Sequence, residues 1–421
     1  MSTRHGETLE VMLDDAMLGP ATPVGTLHRE RSGTSEAISF AYHRSYLEQR
    51  HSLALEPRLP LVDGLAWPAQ GRALFGIFRD TAPDRWGRML LERREALEAR
   101  ETGRKVRRLS EWDFLTGVGD FTRMGALRFR HAQPPHTFVD DRERSAPPAA
   151  RLRELGAIAR DLDRDDAEER PEYAQWLAQL VAPGTSLGGA RPKATYAAED
   201  GRLWLAKFPA HDDRRDVGAW EYLAWKLAVA AGVAVPEARL LRFGRGYRTF
   251  AVQRFDRIEG GRRLYASAMT LLDRSDGEGD SYLDMARAIQ HHGDPAAIAD
   301  DLAQLYRRIV FSILIGNRDD HLRNHGFLRM HAGWRLAPAF DINPNPDRHE
   351  HALAIDAADP APSVRHLHAT HALYRLTANR AKAIAEEVRD AVSDWRCQAA
   401  ALKLPRTAQS QLAAVIDARR D

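Results

Sequence analysis

One run constrains this chain more than any other: Ile313-Leu-Ile-Gly-Asn-Arg-Asp-Asp-His-Leu-Arg-Asn-His-Gly-Phe-Leu328. It follows Leu302, Leu305, Ile309 and Ile313, whose helical spacing marks a core-facing stripe. Asp319 and Asn324 are separated by four residues, and Asp341 follows the apolar segment Trp334 to Phe340. A carboxylate can serve as a weak base beside a hydroxyl, while amide and carboxylate oxygens suit a hard cation such as magnesium. Asp320 is an adjacent rival for the base, but only Asp319 keeps the spacing to Asn324. Taken alone, the run also reads as an acidic, solvated turn, so the material upstream has to decide.

Upstream lies Pro183-Gly-Thr-Ser-Leu-Gly-Gly-Ala-Arg-Pro-Lys193, followed by Leu203-Trp-Leu-Ala-Lys207. Gly184, Gly188 and Gly189 let backbone N–H groups approach an anion without hindrance from Cβ. A plain hairpin turn would use the same residues. Lys207, however, sits inside an otherwise apolar strand and needs a counter-charge, because an unpaired buried ammonium is costly. The next helix offers Glu221, which could equally be an ordinary surface acid. Glycine-rich segment, strand lysine, helix glutamate and an Asp-x4-Asn loop follow the order of a protein kinase, in which Asp takes the hydroxyl proton and Asn holds a metal.

Totals narrow the class. At 421 residues the chain has room for two or three domains, and 44% hydrophobic residues allow a sizeable core. Lysine plus arginine (61) nearly balance aspartate plus glutamate (59), which gives no general case for binding nucleic acid or membrane. The single cysteine, Cys397, excludes an internal disulfide and a Cys-rich zinc site and suits a reducing, cytoplasmic compartment. The opening Met-Ser-Thr-Arg-His-Gly-Glu has no apolar core of a signal peptide, and no run approaches a membrane span, so no membrane partner is expected.

Residues 8–43 read as short strands, with Leu9-Val11-Leu13 alternating. A helical pattern follows Asp84, a candidate N-cap, through the basic segment 85–108. That segment is either a solvated face laced with Glu92, Glu95 and Glu98 or a partner-binding surface. Residues 131–150 read as a linker or long surface connection, and 152–162 as a helix. Ala238–Leu241 and Thr249–Gln253 read as strands ahead of a kinase-like hinge. The rest is largely helical: 282–291, 295–316, 369–400 and 407–420.

In this order, Ser186-Leu-Gly-Gly-Ala-Arg-Pro-Lys193, Lys207, Arg254-Phe-Asp-Arg257, Asn317 to Asn324 and Phe340-Asp341 resemble the HipA family. Asp80-Thr-Ala-Pro-Asp-Arg-Trp-Gly-Arg88 and Gly117 to Ala126 extend the resemblance toward the N-terminus. The family consists of bacterial Ser/Thr kinase toxins. The resemblance implies an α+β, protein-kinase-like fold: an N-terminal α+β subdomain over 1–135, a β-rich N-lobe over 150–255 and a helical C-lobe over 256–421. It implies ATP and Mg2+ as cofactors, with nucleotide between the two lobes. It further implies Asp319 as catalytic base, Lys207 and His321 on the phosphates, and Asn324 and Asp341 as metal ligands. Val252, Gln253 and Phe255 would meet the adenine. Gly184, Thr185, Ser186, Leu187, Gly188, Gly189 and Lys193 would line the phosphate loop, and Glu221 would pair with Lys207. Ser186 would be the autophosphorylation site, with Thr185 a neighbour not excluded, and Arg191 and Lys193 would hold the ejected phosphate. The implied partners are an aminoacyl-tRNA synthetase as substrate and a helix-turn-helix antitoxin, with DNA reached only through the antitoxin. The chain departs from ordinary kinases in lacking His-Arg-Asp and Asp-Phe-Gly, so control falls on the glycine-rich segment. Two rivals remain: a metal-dependent hydrolase built on Asp319, Asp320, His321, His325 and Asp341, with His321 and His325 sharing a helix face, and a non-catalytic regulator using the basic segment.

Overall fold

A computed structural model describes residues 5–32, 35–134, 136–140, 146–184, 189–259, 261–275, 280–356, 361 and 363–417. The chain forms two compact units, Met1–Asp212 with Asp256–Ala266, and Asp213–Phe255 with Ser267–Asp421. The division falls between Lys207 and Glu221, inside the segment 150–255 that the sequence reads as one lobe.

The first unit opens with strands β1 (His5–Leu13), β2 (Thr22–Ser32) and β3 (Ser35–Tyr42). The expected alternation holds: Leu9, Val11 and Leu13 all point into the core. Helix α1 (Arg85–Glu101) is capped by Asp84, whose side chain accepts from the Gly87 N–H. Several arginines of the basic segment are paired with acids: Arg88 of the helix binds Glu111 through two 2.7 Å hydrogen bonds, and Arg104 and Arg107 beyond its end converge on buried Glu95. That bracing favours the solvated, salt-bridged reading of the basic segment. Helix α2 (Glu111–Thr116) and strand β4 (Leu127–His131) follow, and β4 completes an antiparallel sheet of order β3-β2-β1-β4. Next come helix α3 (Leu152–Leu162), as expected, and α4 (Tyr173–Gly184), which the glycine-rich reading did not anticipate. The hairpin β5 (Lys193–Ala197) and β6 (Leu203–Lys207) closes this stretch.

One N-terminal sequence signature finds its use here. Asp256, 1% exposed, accepts a 2.8 Å hydrogen bond from the Gly125 N–H, and Arg257 donates to the Arg123 carbonyl at 2.6 Å. The run Gly117 to Ala126 is therefore the seat on which the Arg254-Phe-Asp-Arg257 signature rests its last two residues.

The second unit begins with helix α5 (Val217–Ala230) and strands β7 (Ala238–Leu241) and β8 (Thr249–Gln253), all close to expectation. Helices α6 (Tyr282–His292) and α7 (Ile298–Ile315) follow, then strands β9 (Gly326–Arg329) and β10 (Trp334–Leu336). Leu302, Leu305, Ile309 and Ile313 of α7 are at most 1% exposed, each contributing about 1.5–3 kcal/mol of apolar burial. The single helix expected over 369–400 is instead broken. Arg375 adopts a left-handed backbone, Thr377 caps α8 (Ala378–Ser393), and Asp394 separates it from α9 (Trp395–Ala401). Continuous helical periodicity hid these caps. Helix α10 (Arg406–Ile416) ends the described chain. Among the described residues, no helix is long and apolar enough to cross a membrane.

Candidate active site

Helix α7 positions the polar run. It ends at Gly316 in a left-handed conformation (φ 69°, ψ 40°), and a Cβ there would lie 2.0 Å from Val415 Cγ1, so only glycine fits. The chain then turns, and the two adjacent carboxylates part company. Asp320, 4% exposed, accepts from the Tyr282 hydroxyl at 2.7 Å and the Ser312 hydroxyl at 3.2 Å. Its other oxygen lies 3.0 Å from His325 Nε2, an ion-pair distance not aligned as a linear hydrogen bond. Burial pushes the Asp320 carboxyl up, but His325 at ion-pair distance, the Tyr282 hydrogen bond and the His351 charge outweigh it and hold it at about 2. The same arrangement, burial first, drives the Tyr282 hydroxyl well above its ordinary value.

Asp319 is the opposite case. Its side chain is 53% exposed, and its Oδ1 lies 2.7 Å from the guanidinium of Arg348. Arg348 is in turn held by its carbonyl, which accepts from Arg318. Asn324 folds back so that its Nδ2 donates to the Asp319 carbonyl at 3.2 Å. That bond fixes the amide and leaves its oxygen as the atom suited to a hard cation.

The same helix holds the second strand of the site. Asp301 accepts from the Leu336 N–H at 2.9 Å and pairs with Arg335, while buried Arg308 donates to the Ala337 carbonyl at 2.6 Å. Burial lowers Arg308 to about 10, which leaves it charged at neutral pH. Beyond these anchors, Asp341 takes a left-handed backbone (φ 56°), a cost a non-glycine residue carries only where its surroundings over-determine it. Two asparagines supply that constraint: Asn343 Nδ2 lies 3.3 Å from Asp341 Oδ1, and Asn343 N–H donates to buried Asn317 Oδ1 at 3.3 Å. Asn324, Asn317, Phe340 and Ile342 line one small pocket, which brings the Asn324 loop against both neighbours of Asp341. Phe340 also stacks on Phe255, ring centroids 5.3 Å apart, so the end of the hinge segment packs on the residue before Asp341. Val252 and Gln253 are half-buried at the end of β8. Glu221 lies buried on α5.

His321 is half-buried with extended backbone (φ −120°), and its Nδ1 is buried without a hydrogen-bond partner among the described residues. An orphaned ring nitrogen beside Asp319 is a fit for a phosphate oxygen. His321 and His325 do not share a helix face: a three-residue 3-10 turn, Leu322–Asn324, separates them, and His325 is spent on Asp320. The hydrolase reading loses the geometry it needed. Among the described residues, no group of three or more His, Cys, Asp or Glu side chains is placed to hold a metal.

In the first unit, Lys193 and Lys207 stand directly opposite in the β5–β6 register, so both amino groups share one face. They are 1% and 8% exposed. Gly184 ends α4; Thr185, Ser186, Leu187 and Gly188, with the expected phosphosite, lie outside the described residues. Gly189 has φ +101° and its carbonyl accepts from Lys193 Nζ at 2.7 Å. Lys193 Nζ also pairs with Asp84 at 3.1 Å, and the Trp86 indole donates to the Lys193 carbonyl at 3.1 Å. Sequence reasoning took Asp84 only as a cap and gave Arg348 no role. No pattern marks Arg348, but the Asp80 to Arg88 signature was a pointer to Asp84.

The fold is a HipA-like, kinase-like α+β fold. A model of the HipA-like C-terminal domain matches residues 185–395, and one of the HipA N-terminal domain matches residues 10–130. This chain belongs to the HipA family. It is similar to the serine/threonine-protein kinase toxin HipA of Shewanella oneidensis, 23% identical over 375 residues, spanning 81% of this chain and 76% of that protein. A Haemophilus influenzae protein named "Putative kinase" is 27% identical over 193 residues, 39% of this chain and 54% of that one. The solved complex of HipA, HipB and operator DNA from a Shewanella oneidensis toxin–antitoxin system superposes with a TM-score of 0.63. That match is at 18% identity and covers 97% of this chain and 96% of that one.

Proposed function

We propose that the protein is an ATP- and Mg2+-dependent serine/threonine protein kinase of the toxin type. The observation that carries the reading is the divergence of the two adjacent carboxylates: Asp320 is locked in the interior, and Asp319 stands at the surface with Asn324 bonded to its own carbonyl. Asp319 is the group that accepts the hydroxyl proton. Asn324 and Asp341 offer oxygens to magnesium, which when bound would neutralise the charge developing on the transferred phosphoryl group. Lys207, Lys193 and His321 are assigned to the phosphates, and Glu221 is the counter-charge assigned to Lys207. Gly184 to Gly189 are assigned to the nucleotide phosphates, and Val252, Gln253 and Phe255 to the adenine side. The segment 1–135 acts as an N-terminal subdomain, 150–255 as the N-lobe and 256–421 as the C-lobe.

Autophosphorylation of Ser186 would bring about −1.5 to −2 charges next to the ATP phosphates and silence the enzyme. An aminoacyl-tRNA synthetase is the substrate class we assign, in the cytoplasm, with translation as the process stopped. A small helix-turn-helix antitoxin is the assigned partner, supported by the HipA–HipB–DNA complex that the fold matches. Brief expression of wild type beside Asp319→Ala, followed by phosphoproteomics, tests this. Serine or threonine sites on a synthetase that appear only with wild type support it; identical phosphoproteomes overturn it.

A further inference from the structure

Asp84 performs two tasks at once. One carboxylate oxygen caps α1 through the Gly87 N–H, and the other lies 3.1 Å from Lys193 Nζ. The residues it reaches are 109 positions away, on the downstream arm of the glycine-rich segment. Three further bonds fasten the same place. The Trp86 N–H donates to the Gly189 carbonyl at 3.4 Å, Lys193 Nζ donates to that carbonyl at 2.7 Å, and the Trp86 indole donates to the Lys193 carbonyl at 3.1 Å. Trp86 and Lys193 are each 1% exposed, so the bond between the indole and the Lys193 carbonyl is made away from water, where it holds a geometry firmly, while Gly189 itself lies at the surface. The charges also call for such a partner. Lys193 and Lys207 are directly opposed in the hairpin, and like charges so placed repel unless a counter-charge is built in.

We infer that Asp84 is a positioning residue for the nucleotide side of the site, acting through Lys193 to fix Gly189 to Lys193. The start of α1 thereby sets the position of Gly189 to Lys193, and ATP affinity depends on a carboxylate outside the kinase-like part of the chain. The inference rests on the kinase reading above.

Asparagine caps a helix as well as aspartate does but carries no charge, so Asp84→Asn separates the two tasks. Isothermal titration with Mg·ATP, a melting curve and amide hydrogen exchange would be run on wild type, Asp84→Asn, Lys193→Met and the double variant. Asp84→Asn should melt within a few degrees of wild type, exchange faster at 189–193 and bind Mg·ATP about tenfold more weakly, the equivalent of one charge-assisted hydrogen bond. Its kcat at saturating ATP should stay within a few-fold, with the change in KM. In the Lys193→Met background, Asp84→Asn should add nothing, because its route runs through that lysine. The double variant leaves no buried unpaired charge and so keeps the test open if Asp84→Asn folds poorly. Wild-type affinity and exchange in Asp84→Asn, or losses that multiply in the double variant, overturn the inference alone. Failure of the wild type to bind Mg·ATP overturns the kinase reading with it.

Discussion

The hairpin that carries Lys193 and Lys207 and the loop that carries Asp319 and Asn324 both hold charged groups, but over very different reaches of chain. Lys193 is buried, and its counter-ion comes from 109 residues upstream. The loop draws more on nearby residues: Asp320 is satisfied by Ser312 and His325, eight and five residues away, as well as by Tyr282, 38 residues before it, and Asn324 by the backbone five residues before it. Asp319 is left at the surface, its ion-pair partner Arg348 half-exposed like itself. The hairpin therefore depends on the rest of its unit for its charge state. The loop carries its own support and exposes one carboxylate for work.

The contrast can be broken at several points. The largest effect should come from Asp341→Ala. On the proposal that Asp341 offers an oxygen to magnesium, its removal should slow phosphoryl transfer on the order of 10³-fold, with the fold retained, measured as initial rate at saturating Mg·ATP beside a melting curve. The left-handed backbone at Asp341 adds a check, since Asp341→Gly should relieve strain and melt no lower than wild type while being as inactive.

Asp320→Ala should act on stability instead. It strands the Tyr282 hydroxyl and His325 in the interior, a loss of about 3–5 kcal/mol by denaturant unfolding. Acid sharpens the point. Because the folded-state carboxyl is held at about 2, below its ordinary value near 4, Asp320 contributes stability above about pH 4 that is lost as pH falls through about 2. The gap in melting temperature between wild type and Asp320→Asn should therefore narrow across that window; a constant gap would remove Asp320 from the buried pair.

The smallest effect belongs to Arg348→Ala. An ion pair between half-exposed groups is worth about 0–1 kcal/mol, so freeing Asp319 should raise kcat/KM by no more than a few-fold without moving the melting temperature. A large loss of activity would instead give Arg348 a part in binding the substrate.

Much of the loop was legible in the sequence because its determinants are local. Spacing chose Asp319 over Asp320, and the helical stripe from Leu302 to Ile313 set where the loop begins. The β7 and β8 strands and α3 were readable for the same reason, from alternation and periodicity within a few residues. What the sequence hid depends on distance. Asp84 looked like a helix cap because a cap is a local signal, and its hold on Lys193 is not. Helix α4 was missed because Pro183 and Gly184, which usually punctuate, fall at its end. The breaks at Arg375 and Asp394 were masked by unbroken apolar periodicity. The Gly117 to Ala126 signature was visible as a pattern, but its purpose, seating Asp256 and Arg257, needs the folded chain.

The central claim is that Asp319 does chemistry while Asp320 does architecture. Transfer of labelled γ-phosphate from Mg·ATP to protein, by purified wild type, Asp319→Asn and Asp320→Asn at matched folded fractions, addresses it directly. Asp319→Asn should keep ATP affinity within a few-fold and lose about 10²-fold or more in transfer rate, since the amide cannot take the proton. Asp320→Asn should melt lower yet transfer phosphate within about tenfold of wild type per folded molecule. Full transfer by Asp319→Asn, or the larger catalytic loss in Asp320→Asn, would contradict the account.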